Sequence, residues 1–188
     1  MDRQVLWQVW AGVGLESVRV VEDGDGVRAE SVAIGVADGR AYSVRYALRC
    51  DTGWRVRTME AWSLGDGASL ALSSDGRGRW TDPDGRHHAA LEGCFDVDLP
   101  STLFTNTLPI RRLGLVPGWS EELSMVYIAV PELTVSVARQ RYTCLAWGAD
   151  GGRYRFESIG TDFTSEITLD ADALVVDYPR IGRRVWSR

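Results

Sequence analysis

Residues 91–113 read LEGCFDVDLPSTLFTNTLPIRRL, and this stretch interrupts a regular series of short alternating strands. Up to Asp98 it keeps the alternation of its surroundings. Beyond Asp98 the pattern changes: Pro100, Ser101 and Thr102 can start a helix, Leu103, Phe104, Leu108 and Leu113 form a helical apolar stripe, and Gly114 can end it. Pro109 removes one backbone donor and crowds the preceding turn, so it bends or divides that helix. One short apolar helix near residues 101–113, alone among many strands, is most economically placed inside a curled sheet, where it covers the dry face.

Outward from this stretch, turn signals recur: EDGDG near 24, ADG near 38, CDTG near 52, GDG near 66, SDGRG near 76, DPDG near 84 and ADGG near 150. Asp-Gly between alternating runs is a hairpin signal, because Gly supplies the positive φ of a tight turn. The intervening segments alternate with period two. AYSVRYALRC sets Tyr42, Val44, Tyr46 and Leu48 against Ser43, Arg45 and Arg49. WRVRTMEAW sets Trp54, Val56 and Trp62 against Arg55 and Arg57, and YRFESI sets Tyr154 and Phe156 against Arg153, Arg155 and Glu157. This is an antiparallel sheet with one wet and one dry face. Ten or more such strands make the chain mainly β (α+β). RAYSVRYALRCDTGWRVRTM and RQRYTCLAWGADGGRYRFESI share a strand–turn–strand pattern. Residues 1–188 therefore read as a single domain with two weakly similar β halves, an echo that shared hairpin grammar explains as well as duplication does.

Composition limits the functional classes. A chain of 188 residues with 45% hydrophobic and 25% charged content is an ordinary globular protein with a real core. It has no Lys, which excludes Schiff-base chemistry and a Lys-dependent phosphate loop. A net charge of -5 argues against a nucleic-acid partner and against a polyanionic membrane surface. The N-terminus lacks a secretory pattern and no window approaches a transmembrane span, so a cytoplasmic location is expected. Three widely spaced cysteines, Cys50, Cys94 and Cys144, fit reduced thiols, with Cys50 on the dry face beside Leu48.

Several constellations offer chemistry. Asp96 and Asp98 form a pair on one strand face, able to share a cation or divide acid and base roles, or else to serve as a solvated turn or helix-capping element. His87 and His88 point to opposite faces after a turn and are expected to be exposed. The EDGDG loop lacks the later ligands of a calcium loop and reads as a hairpin. No CxxC, HExxH or GxSxG element stands in the chain, so neither a metal nor a cofactor is expected. The FTNTLPIRR run is richer. Thr105, Asn106 and Thr107 offer groups suited to sugar hydroxyls or to orphan backbone donors, and Arg111 and Arg112 offer planar forks for an anion. Arg112 can equally pair with Asp96 or Asp98 and lock the helix to the sheet.

With these residues in place, the chain resembles the bacterial "putative glycolipid-binding" family, formerly a domain of unknown function. The likeness rests on a Gly-Cys-x-x-Asp-x-Asp element before TNTLPIRR, with VRYALRCDTGWRVR before it and RQRYTCL, RYRFES and LVVDYP after it. Leu103 stands where a Pro is common in that pattern. The resemblance implies a spiral β-roll wrapped around a single helix, a homodimer, and a glycolipid or similar amphiphile as ligand.

Three functions compete. A non-catalytic binder would line an apolar groove with Trp54, Trp62 and Tyr142 and read a polar headgroup through Thr105, Asn106, Arg111 and Arg112. A dimeric scaffold would use exposed strand edges and Trp residues. A hydrolase would use Asp96 and Asp98 as acid and base. The binder ranks first, the scaffold second and the enzyme third.

Overall fold

The computed structural model describes residues 1–188 apart from Ala11, Asp38 and Asp66; the turns read at ADG and GDG include two of these and lie in part outside the described residues. The first half supplies β1 (Asp2–Val9), β2 (Gly14–Asp23), β3 (Gly26–Ala37), β4 (Arg40–Cys50), β5 (Val56–Ser63), β6 (Ser69–Ser74) and β7 (Trp80–Thr81). The second supplies β8 (Asp96–Asp98), β9 (Ser120–Ile128), β10 (Val135–Gly148), β11 (Gly151–Ile159), β12 (Thr164–Asp170), β13 (Val175–Tyr178) and β14 (Gly182–Ser187). All belong to one fourteen-stranded sheet in the order β7-β6-β5-β4-β3-β2-β1-β14-β13-β12-β11-β10-β9-β8.

Chain-adjacent strands pair antiparallel through short turns, and β1 pairs with β14 to join the two halves at the centre of the sheet. The β8–β9 pair alone is parallel. Parallel neighbours cannot be joined by a hairpin and need a crossover. The crossover here carries the helix α1 (Thr107–Leu113), preceded by a 3₁₀ turn at Phe104–Asn106. The expected helix therefore exists but is shorter than residues 101–113: Pro100, Ser101 and Thr102 lie outside it, and Pro109 falls in the first turn of α1, where a missing N–H is tolerated. Gly114 ends it in the left-handed conformation, its N–H donating to Ile110 O.

The crossover segment touches strands from both halves. Leu103 N–H donates to Glu16 on β2, the Thr102 hydroxyl lies 3.1 Å from the Tyr46 hydroxyl on β4, and the Tyr142 hydroxyl on β10 donates to Asn106. A sheet that meets one short segment from β2, β4 and β10 must curl around it, and the twist of antiparallel strands supplies that curl. The two ends of the sheet approach each other as well, with Trp80 Nε1 on β7 donating to Cys94 O just before β8 at 2.7 Å. They do not pair, so the roll stays open.

Alternation places Val44, Tyr46, Leu48 and Cys50 in the core, with Tyr154 and Phe156 opposite. The β2–β3 turn shows why Gly is needed at such corners: Gly26 has φ +128°, and a Cβ there would stand 2.3 Å from Cys50 O. On β5 the alternation breaks. Cys50 pairs with Val56 but Arg49 pairs with Thr58, so the register slips at one bulge and Met59 and Ala61 take the dry positions. Trp62 is thereby turned to the outer face, away from Trp54 and Val56, with the Arg45 guanidinium 5.0 Å above its ring. His87 and His88 are half-buried rather than exposed, and His87 Nε2 lies 2.8 Å from Glu92 Oε2.

Candidate functional site

The helix is held by its polar side chains. Arg112 donates to both oxygens of Asp96 at 2.6–3.1 Å, and the carboxylate is buried on β8. Burial pushes the Asp96 carboxyl up and the Arg112 fork opposes that push. Arg111 turns the other way: its Nη2 donates to both oxygens of Glu22 on β2, and the guanidinium stacks 4.7 Å from the Trp54 ring. Trp54 also donates through Nε1 to Glu22 at 3.0 Å. Thr107 donates to Ala173 O at 2.8 Å. Asp96 and Arg112 thus form one unit, and Trp54, Arg111 and Glu22 another.

Asp98 belongs to a third. Gln140 Nε2 donates to its Oδ2 at 2.6 Å and the Thr105 hydroxyl to its Oδ1 at 3.3 Å. The Tyr142 hydroxyl lies 3.1 Å from Asn106 Oδ1 and 3.2 Å from Gln140 Oε1, donating to one at a time. Asn106 Nδ2 donates to Leu103 O. The structure therefore gathers Asp98, Thr105, Asn106 and Tyr142 around Gln140. Burial pushes the Asp98 carboxyl up, and among the described residues it makes no ion pair.

Cavities open at both ends of the helix. At its C-terminal end one of about 430 Å³ is lined by Glu22, Trp54, Arg111, Trp147 and Tyr154. Beside its N-terminal end one of about 230 Å³ is lined by Asp98, Asn106 and Gln140 together with Tyr127, Phe156, Phe163 and Tyr178. Next to the latter, sharing Pro100 and Ile181 as a common wall, runs a mainly apolar groove of about 210 Å³ lined by Val9, Val36, Tyr42, Leu103 and Val130, with Arg180 as its one charged member among the described residues. The first of these two neighbours is lined by polar and aromatic groups and the second mainly by apolar side chains. Trp62, Asp96 and Arg112 line none of these three. Among the described residues no group of three or more His, Cys, Asp or Glu is placed to hold a metal ion.

Two members of this region escape a motif reading. Glu16 is buried on β2, where it accepts from Ser31 at 2.8 Å, Tyr46 at 3.0 Å and Leu103 N–H at 3.2 Å, and burial raises its carboxyl to about 7. Gln140 is 3% exposed on β10. Both carry a readable signal: Glu16 shares the parity of Val18 and Val20, and Gln140 that of Tyr142 and Cys144. A polar residue at a dry-face position must find partners, and those partners mark a built polar network.

A family model described as "Putative glycolipid-binding" matches residues 4–184. The chain belongs to that family. A solved structure of a DUF1089 family protein from Pseudomonas aeruginosa is 35% identical over 95% of each chain with a TM-score of 0.82. The curled sheet around one helix is therefore the architecture of a relative as well. No curated protein matches.

Proposed function

We propose that this protein is a non-catalytic binding protein for a glycolipid or similar amphiphile, with the headgroup in the Asp98 pocket and an acyl chain along the apolar groove beside it. The observation that carries the reading is the shared wall: Pro100 and Ile181 separate a pocket with Asp98 and Gln140 from a groove of Val9, Leu103 and Val130. Asp98 and Gln140 face sugar hydroxyls, and the Phe163 and Tyr178 rings offer flat apolar surfaces to a pyranose. The family description supports the ligand class. Asp96 and Arg112 serve in this reading to fix the helix, and the aromatic cavity around Trp54 and Arg111 is not needed. Titration calorimetry with octyl glucoside below its micellar concentration tests it. Binding that is weakened at least tenfold by Ser101→Trp, which fills the groove, is expected. No heat of binding from any alkyl glycoside overturns it.

A second reading concerns assembly. Leu15 and Ile34 face each other across β2 and β3 on the outer side, with Val32 next to them, and all are exposed. Such a contiguous apolar face suits a second copy of the chain, the homodimer implied by the resemblance. Ile34→Glu then yields monomers in sedimentation, and an unchanged wild-type monomer at every concentration overturns the dimer. A cytoplasmic location belongs to the same proposal, supported by three buried free thiols.

A further inference from the structure

We infer that the Asp98 pocket takes a headgroup bearing a positively charged nitrogen, an amino sugar or comparable ammonium, rather than an uncharged sugar. This rests on the amphiphile reading above and narrows it. A carboxylate held away from water is costly unless a cation stands beside it. Among the described residues Asp98 receives only neutral donors, the Gln140 amide and the Thr105 hydroxyl, so its ionised form has hydrogen bonds here but no counter-charge. Two other carboxylates close to the helix are matched within the chain, Asp96 by Arg112 and Glu22 by Arg111, whereas Glu16, like Asp98, receives neutral donors. Asp98 lines a cavity, so a ligand held there can supply its counter-charge.

The walls of that cavity suit a cation. Tyr127, Phe156, Phe163 and Tyr178 line it, and three of these rings form one cluster, with Phe156 centred 5.9 Å from both Phe163 and Tyr178. Aromatic faces attract ammonium groups, and more strongly where water is excluded. The fold already uses this attraction at the rim, where the Arg180 guanidinium lies 4.7 Å from the Phe163 ring centre while donating to Thr164 O. Among the described residues lining it Asp98 is the single carboxylate, too little charge for a divalent metal. It matches a monovalent ammonium, which needs one counter-charge and otherwise accepts π faces.

The test compares two amphiphiles that differ at one atom, octyl glucoside and octyl 2-amino-2-deoxyglucoside, by titration calorimetry with the full chain at neutral pH. The amino compound is expected to bind at least tenfold more tightly, and added salt is expected to reduce that preference. Asp98→Asn brings the two affinities within about twofold of each other. Phe163→Leu, which leaves the carboxylate network intact, reduces the preference by a factor of about three and serves if Asp98→Asn fails to fold. Equal affinity of the wild type for both compounds, or a preference that survives both substitutions, overturns the ammonium assignment and leaves the amphiphile reading standing. Binding of neither compound overturns that reading and this one with it.

Discussion

Arg112 lays its guanidinium on Asp96 through three hydrogen bonds, while its chain neighbour Arg111 reaches Glu22. Successive residues on a helix are turned by about 100°, so two adjacent arginines grip two different walls. One wall is the edge strand β8 and the other is β2, near the middle of the sheet. The last turn of α1 is thereby a cross-tie between distant parts of the roll, which explains why a helix of only seven residues holds a fixed place.

Arg112→Ala is expected to destabilise the protein by roughly 3–5 kcal/mol, because it leaves a buried carboxylate without its partner. The double variant Asp96→Asn/Arg112→Ala should lose less than Arg112→Ala alone, since the orphaned charge is removed with the fork. Urea unfolding of the three proteins measures this. Equal losses in the single and double variants would show that packing, not charge, sets the cost.

Glu16 makes stability depend on pH. Its carboxyl is raised from 4.5 to about 7 in the folded chain, so between those values the folded state holds a proton that the unfolded state has released. Its contribution is complete below about pH 4.5 and is lost as the pH rises through about 7, a change of about 3 kcal/mol. Melting temperatures of wild type and Glu16→Gln at pH 5 and pH 7.5 give the comparison. The wild type should lose more stability than the variant on going to the higher pH, whatever the variant's absolute stability.

Much of this architecture is legible in the chain. Period-two alternation names the dry face of β4 and β11 correctly, Asp-Gly marks the β2–β3 corner, and Gly114 marks the end of the helix. The pairing of Arg112 with Asp96 was one of two readings of the same residues, and geometry selects it. Alternation alone puts Trp62 on the face of Trp54 and Val56, but a one-residue bulge inverts every later side chain on a strand, and nothing in WRVRTMEAW announces the bulge. The aromatic wall of the Asp98 pocket was hidden for another reason. Phe156, Phe163 and Tyr178 come from β11, the turn after it and β13, and the pairing of β11 with β12 and of β12 with β13 brings them together.

Gly26→Ala is expected to cost about 2 kcal/mol or more. The residue sits at φ +128°, where an L side chain is strained, and the new methyl would press on Cys50 O. By contrast, Gly24→Ala in the same turn meets no atom within 4 Å and lies outside the left-handed region, so it should change stability little. Chemical denaturation of the pair separates backbone conformation from the mere loss of a glycine.

Tyr142→Phe tests whether the polar network beside the helix is a support for the pocket or only part of the core. The ring is 1% exposed and packs edge-on to Phe156 at 5.4 Å, and Phe keeps that packing. What is lost is the hydroxyl that donates to Asn106 or to Gln140, whose amide in turn holds Asp98. A buried acceptor left unsatisfied costs roughly 1–3 kcal/mol, so a drop of about 2 kcal/mol in unfolding free energy is expected. If the network positions Asp98, affinity for octyl glycosides should fall as well, by about threefold to tenfold, at temperatures where the variant is fully folded. If stability falls while affinity is unchanged, the hydroxyl serves the fold alone, and Asp98 is oriented by Gln140 and Thr105 without help from β10's tyrosine.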